Sequence, residues 1–409
     1  MKIWIKYLLG IALGLAASII IPFDNRSFAD VLTFLAELAV RFGRYTILPV
    51  LFFGATVAVF KLRSAKKLVR PTLLILCVLG VSALLLTIIG LVSILIVRLP
   101  RIPIPTGKMS GVSSIDVKNL LLSLFPYSGF EAFIDGVYLL PLFLFAGLAG
   151  AGCASDESVS KPAITLFDSL AKVSYNVMSF FVDTLAVGMI AISCVWFVSA
   201  MPVFKSGIYT PLFVMLTVDF FLVVCLLYPG LMYLFCPGAR PYRVLYASIC
   251  PMLVAFLSGD TNLVLPVATR HGYESLGIHR KINAVTYPVF SVFARGGSAL
   301  VTAVSFVLIL TSYSDLSISL SDVMWIAGMS LGLSFVLGGL PVGGSFVALT
   351  VMCSLYGRGF EAGYLLLTPA SAIIGSFAAA IDAATSMFGS YFVGYKMKMT
   401  SHYDLHRFI

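Results

Sequence analysis

The residues of this chain best able to do chemistry sit inside runs apolar enough for a membrane. Arg295 lies in Ala294-Arg295-Gly296-Gly297-Ser298, and upstream stands the polar stretch Ser258-Gly259-Asp260-Thr261-Asn262-Leu263-Val264-Leu265-Pro266. Asp382, Thr385, Ser386 and Gly389 recur at i, i+3, i+4 and i+7, which is one face of a helix. A guanidinium is permanently charged and offers a fork of donors matched to a carboxylate, while flanking glycines let the backbone open around a ligand. Arg295 therefore has two readings: it binds a substrate carboxylate, or it forms a structural ion pair with Asp260 or Asp382, and the two can alternate during transport. Ser258, Thr261 and Asn262 add hydroxyl and amide groups at the same depth. Asp260, Ser298, Asp382 and Ser390 are the candidates for handling a coupling ion. A polar stripe such as 382–389 also serves as helix–helix glue, so convergence with the other polar stretches is what favours a site.

Composition sets the surroundings of these groups. Of 409 residues 60% are hydrophobic and 11% charged, against roughly 25% charged in soluble domains. The mean hydropathy is +1.03, which excludes a water-soluble fold. Asp183, Asp219, Arg295 and Asp382 fall within apolar runs, and each costs at least ~2.5 kcal/mol near the bilayer centre, so each is expected to find a partner. The net charge of +9 reads as basic loops that orient helices, not as a nucleic-acid surface. Seven scattered cysteines without a CxxC pair read as small apolar residues, neither a disulfide frame nor a metal site. Four histidines without His-Glu-x-x-His or a nucleophile elbow argue against an enzyme, and nothing calls for a cofactor.

A spanning helix needs about 20 apolar residues. On that ruler the spans fall near 4–22, 30–60, 71–98, 119–151, 161–200, 208–236, 282–312 and 362–395. The first run has Lys2 and Lys6 before it, but Asp24-Asn25-Arg26 follows in place of a small-residue cleavage site, so it reads as a retained helix. Two further stretches, 246–270 and 322–357, are interrupted by Gly259 with its polar neighbours and by Gly338-Gly339-Leu340-Pro341-Val342-Gly343-Gly344. Glycines and a proline at mid-helix remove propensity and a hydrogen bond, so each stretch reads as a re-entrant hairpin that turns back at its tip. The expected fold is an all-α integral membrane protein of eight transmembrane helices and two re-entrant hairpins. With the basic cluster from Lys61 to Arg70 in the cytoplasm, both termini are cytoplasmic, and only Arg98, Arg101 and Lys108 run against the scheme. Helical spans point to an inner or plasma membrane.

The pattern resembles the dicarboxylate/amino acid:cation symporter family, the glutamate-transporter homologues. Leu48-Pro49-Val50-Leu51-Phe52-Phe53 looks like that family's Pro-containing second helix, and Leu139-Leu140-Pro141-Leu142-Phe143-Leu144-Phe145-Ala146-Gly147 like its fourth. Ala255 to Pro266 looks like the serine-rich first hairpin, followed by Thr286-Tyr287-Pro288, and 338–344 like the second. The resemblance implies a homotrimer in the lipid bilayer, with a scaffold of 1–70 and 119–243 and an elevator-like transport part of 71–118 and 244–409. It also implies that Val342 and Gly343, at the second tip, join Ser258, Asp260, Thr261, Asn262, Arg295, Asp382, Thr385 and Ser386 around the substrate.

The departures bear on coupling. Ala294-Arg295-Gly296-Gly297-Ser298 stands where the family has Asn-Met-Asp-Gly-Thr. On the last helix Asp382 is kept, but Thr385, Ser386, Gly389 and Val393 replace the family's arginine, threonine, asparagine and final aspartate. Sodium wants several oxygen ligands, so these losses weaken the case for the family's sodium stoichiometry. Coupling to sodium or to protons stays open. The expected function is secondary transport of a small carboxylate-bearing solute, amino acid ahead of dicarboxylate. An uncoupled uniporter, anion pathway or sensor is the alternative, and an intramembrane enzyme a remote one.

Overall fold

A computed structural model describes residues 2–20, 26–103, 122, 126–135, 138–313, 318–336, 340, 343–357 and 359–401. The described chain is helical: α1 Ile3–Ile20, α2 Arg26–Arg44, α3 Ile47–Ser64, α4 Val69–Ile96, α5 Glu131–Asp135, α6 Leu139–Cys153 and α7 Glu157–Ser206. After these come α8 Thr210–Phe235, α9 Pro241–Ser258, α10 Thr261–Glu274, α11 Arg280–Phe293, α12 Gly296–Tyr313, α13 Leu320–Val336, α14 Gly344–Tyr356 and α15 Ser371–Lys396. Eight helical stretches among the described residues are long and apolar enough to cross a membrane.

They are not quite the eight expected. Within the expected span 119–151 the helix α6 has 15 residues, since Pro126 to Phe130 are non-helical and only the short α5 follows them; α9, with 18 residues, makes up the number instead. The expected span 30–60 is two helices, α2 and α3, joined at Tyr45-Thr46. Pro49 explains the break, since its ring offers no N–H to the Tyr45 carbonyl and crowds it. Helix α8 carries a π turn at Leu222–Leu227, just before Tyr228 and Pro229.

The interruptions fall where the glycines and charges stand. Gly259 ends α9 with φ +63°, and Asp260 opens α10 by accepting the Asn262 N–H at 2.9 Å. Ser258 Oγ accepts the Asp260 N–H at 3.1 Å, so a two-residue turn at Gly259-Asp260 joins α9 to α10, which pack on each other. Ala294 and Arg295 separate α11 from α12. Between α13 and α14 only Leu340 and Gly343 are described, the latter with φ +72°; Val342 lies outside the described residues.

Packing is uneven along the chain. The long helix α7 runs against α1, α2 and α3. Gly10 and Gly14 bring α1 close to it: a Cβ on Gly14 would stand 2.5 Å from the Ile190 carbonyl oxygen. α1, α2, α4, α6, α7 and α8 present large apolar side chains outward, among them Leu13, Phe34, Leu73, Leu148, Val187 and Val218. By contrast α12 is buried almost all round, enclosed by α4, α13, α14 and α15, while α15 also packs on α9 and α11. The polar groups of the chain's second half therefore lie in the best-shielded part of the molecule.

Candidate functional site

The break between α11 and α12 leaves two sets of backbone groups unpaired, carbonyls at the end of α11 and N–H groups at the start of α12. A charged side chain of the matching sign meets each. Arg295 Nε donates to the Val292 carbonyl at 3.2 Å, at the negative end of α11. Asp382 Oδ1 accepts the Gly297 N–H at 2.7 Å and the Ser298 N–H at 3.4 Å, and its Oδ2 accepts the Ser298 hydroxyl at 2.8 Å. Gly297 permits this approach, since a Cβ there would lie 2.7 Å from the Ala378 carbonyl oxygen and 2.9 Å from Asp382 Oδ1. Both charged side chains are buried, and Arg295 Nη1 stands 3.9 Å from Asp382 Oδ2.

Arg295 also ties the two interrupted stretches together. Its Nη2 donates to Thr261 Oγ1 at 2.8 Å and to the Leu340 carbonyl at 3.0 Å. The first contact lies at the start of α10 and the second in the link between α13 and α14, so both tips converge on one guanidinium. Gly343 borders that link, and its successor Gly344 lines a cavity of about 10 Å³ with Arg295, Ser298, Thr302, Ser334 and Ala348. On the other side Thr261, Ser291, Asp382 and Ser386 line a second cavity of about 10 Å³, room for about one water.

Other expected residues take different partners. Asp260 pairs with Arg44 at the end of α2, whose Nε donates to Oδ2 at 2.6 Å and whose Nη2 also contacts that oxygen. Of the two carboxylates expected to pair with Arg295, Asp382 stands 3.9 Å from it, while Asp260 is held by Arg44. Ser258 turns back to the Val254 carbonyl and caps the tip. Asn262 is buried beside Thr261. Thr385 points away from Ser386, its hydroxyl 2.5 Å from that of Tyr228 and donating to the Ile381 carbonyl at 2.9 Å. Ser390 is fully buried further along α15, and Gly389 gives passage to the ring of Phe290. The remaining charges of the apolar runs are partnered elsewhere: Asp219 accepts Ser93 Oγ at 2.9 Å, and Asp183 lies 3.1 Å from Arg270 and 3.4 Å from Lys6.

Arg44 and Tyr228 did not stand out in the sequence. Arg44 ends an apolar run beside Arg41, where a basic residue reads as a helix-end charge, and a tyrosine in a span is common. A separate cavity of about 380 Å³ opens between α3 and α7 on one side and α10 and α11 on the other. Leu265 lies in its wall and in that of the small cavity holding Thr261, Asp382 and Ser386, so one side chain is shared by both. Among the described residues no three His, Cys, Asp or Glu side chains gather to hold a metal ion.

A search of the curated proteins finds no match. The family model described as Sodium:dicarboxylate symporter family matches residues 2–395. That match runs through every element that builds the site, and with it the multi-pass helical architecture has its explanation: this chain belongs to the sodium:dicarboxylate symporter family.

Proposed function

We propose that the protein carries a small carboxylate-bearing solute, an amino acid or a dicarboxylate, by elevator-type alternating access coupled to a cation gradient. The observation that carries this reading is the convergence of both interrupted stretches on Arg295, whose buried positive charge suits an anionic group. Thr261, Asn262, Asp382 and Ser386 complete the substrate environment, with Ser258, Asp260, Val342, Gly343 and Thr385 at its margins. Ser298, Asp382, Asp260 and Ser390 are the residues proposed to respond to the coupling ion.

In this reading 246–270 and 322–357 are re-entrant hairpins. Residues 1–70 and 119–243 form a static frame, and 71–118 and 244–409 move. The packing of α7 chiefly on α1 to α3, and of α12 on α4, α13, α14 and α15, supports such a division, with α3 on α11 and Trp196 donating to Ser376 as the contacts across it. The 380 Å³ cavity between α3, α7, α10 and α11 suits a release path on the side of Lys61, Lys172 and Arg280, with Leu265 as its inner barrier. Three copies of the chain form the working assembly, with both termini in the cytoplasm of an inner or plasma membrane.

The test is uptake into liposomes of labelled aspartate, glutamate, neutral amino acids and succinate, with a sodium or a proton gradient imposed separately. Concentrative uptake of an acidic or zwitterionic carboxylate is expected, and failure of every solute under both gradients and under none would sink the reading. The uncoupled alternative has one observation behind it: Asp382 is already engaged by three donors of α12. Downhill uptake of a solute with no dependence on either gradient would favour it.

A further inference from the structure

Among the contacts of the described residues, oxygens from four parts of the chain face the guanidinium of Arg295. The Val292 carbonyl ends α11, the Leu340 carbonyl lies in the α13–α14 link, the Thr261 hydroxyl opens α10, and the Asp382 carboxylate comes from α15. Two backbone carbonyls, a hydroxyl and a carboxylate are the ligand types that a small hard cation selects. Helix C-terminal carbonyls and unwound backbone beside a broken helix are where transporters hold such ions. Here the positive charge is part of the chain. A guanidinium cannot lose its proton inside a protein, so its charge is permanent and its position tethered.

We propose that Arg295 is a built-in cation: it fills an oxygen cage that would otherwise take a monovalent metal ion, and it holds the two interrupted stretches together without sodium. This rests on the reading of the site as that of a coupled transporter. The cage has the wrong occupant for a sodium-driven cycle, since a second cation entering it meets the guanidinium charge. The same contacts make Arg295 the tie between the α13–α14 link at Leu340 and the start of α10 at Thr261. Without a positive charge there, the oxygens of four segments face one another uncompensated.

Removing the side chain extends the adjoining 10 Å³ cavity, lined by Ser298, Thr302 and Ser334. Those hydroxyls donate to Asp382, to the Ser345 carbonyl and to the Leu331 carbonyl, and each oxygen keeps lone pairs free for an ion. A vacated cage therefore keeps oxygens with lone pairs to offer a sodium ion.

The experiment is thermal unfolding of the purified full-length protein in NaCl against equimolar choline chloride, for the parent and for Arg295→Ala. The parent is expected to unfold at the same temperature in both salts. The variant is expected to gain a saturable sodium-specific rise on the order of 2 °C or more, as ligand linkage requires. A variant that stays folded only in NaCl shows the same gain. A sodium-specific rise in the parent overturns the proposal, and so does a variant without a sodium response or one lost in both salts. No transport substrate enters this measurement, so a wrong solute class appears in the uptake panel and a wrong cation assignment appears here.

Discussion

Arg295 and Asp382 are placed by the same break, one at each exposed helix end, and their worth lies in the groups each leaves stranded when removed. Asp382→Ala strips α12 of its acceptor and leaves Arg295 without its nearest countercharge. Breaking a buried pair in this way costs about 3–5 kcal/mol, a loss that unfolding in detergent would register. Asp382→Asn keeps one oxygen for the Gly297 N–H, so the cost should be smaller, about 1–3 kcal/mol. The Asn variant should still show a changed pH or ion profile of uptake, and a profile identical to the parent's would remove Asp382 from coupling. Replacing Arg295 with alanine is expected to weaken carboxylate binding about 10- to 100-fold in choline medium, the value of a lost charged hydrogen bond. Equal affinity in solute titrations of parent and variant would exclude the guanidinium as a ligand of the solute. Thr385 shows how neighbours on one stripe diverge: its hydroxyl meets Tyr228, while Ser386 lines the small cavity.

Helix interruptions were legible because glycine, proline and charge cannot all be absorbed by a membrane helix. Gly259, Arg295 with its glycines, and Gly343 each fall between helices or at a helix start. The partners of these groups come from distant elements and have no local signal. Arg44 reaches Asp260 across 216 positions, and no local spacing announces such a pair. Since Asp260 also caps α10, Arg44→Met should destabilise the α9–α10 turn. About a quarter of the Arg44 side chain stays exposed, so the cost should fall at the low end of ~3–5 kcal/mol. Adding Asp260→Asn should recover part of it, and a double-mutant cycle with no coupling would show the bridge to be inert. At Gly259 a left-handed φ of +63° with open space around it predicts a conformational cost alone. Gly259→Ala should lower stability by about 1–2 kcal/mol and leave solute selectivity as it was. Pro49 and Pro126 mark the opposite lesson: both lie in apolar runs long enough to suggest one span each, and both runs are broken beside them.

Over the whole molecule the distribution of burial fits an integral membrane protein, and the family to which the chain belongs is one of transporters. Apolar side chains face outward along α1, α2, α4 and α7, whereas polar and charged ones collect inside around α12 and α15. Such outward apolar faces suit lipid and, in the proposed trimer, sister subunits. The proposed trimer predicts a protein mass in detergent of three 44.1 kDa chains by light scattering. A mass of one chain at every detergent concentration would exclude it. Gly14→Leu should disturb the close approach of α1 to α7 and lower stability by about 1–3 kcal/mol, without touching the site.

Composition and the spacing of breaks determined on their own that this is a helical membrane protein with polar interruptions, and the family followed from their order. Those properties are local or additive: a run is apolar, a glycine breaks it, a charge is costly. Which carboxylate stands beside Arg295, which is taken by Arg44, and that the Leu340 carbonyl receives the guanidinium were decided by tertiary structure alone. Each depends on helices brought within hydrogen-bond reach across tens to hundreds of residues, and only packing sets those distances.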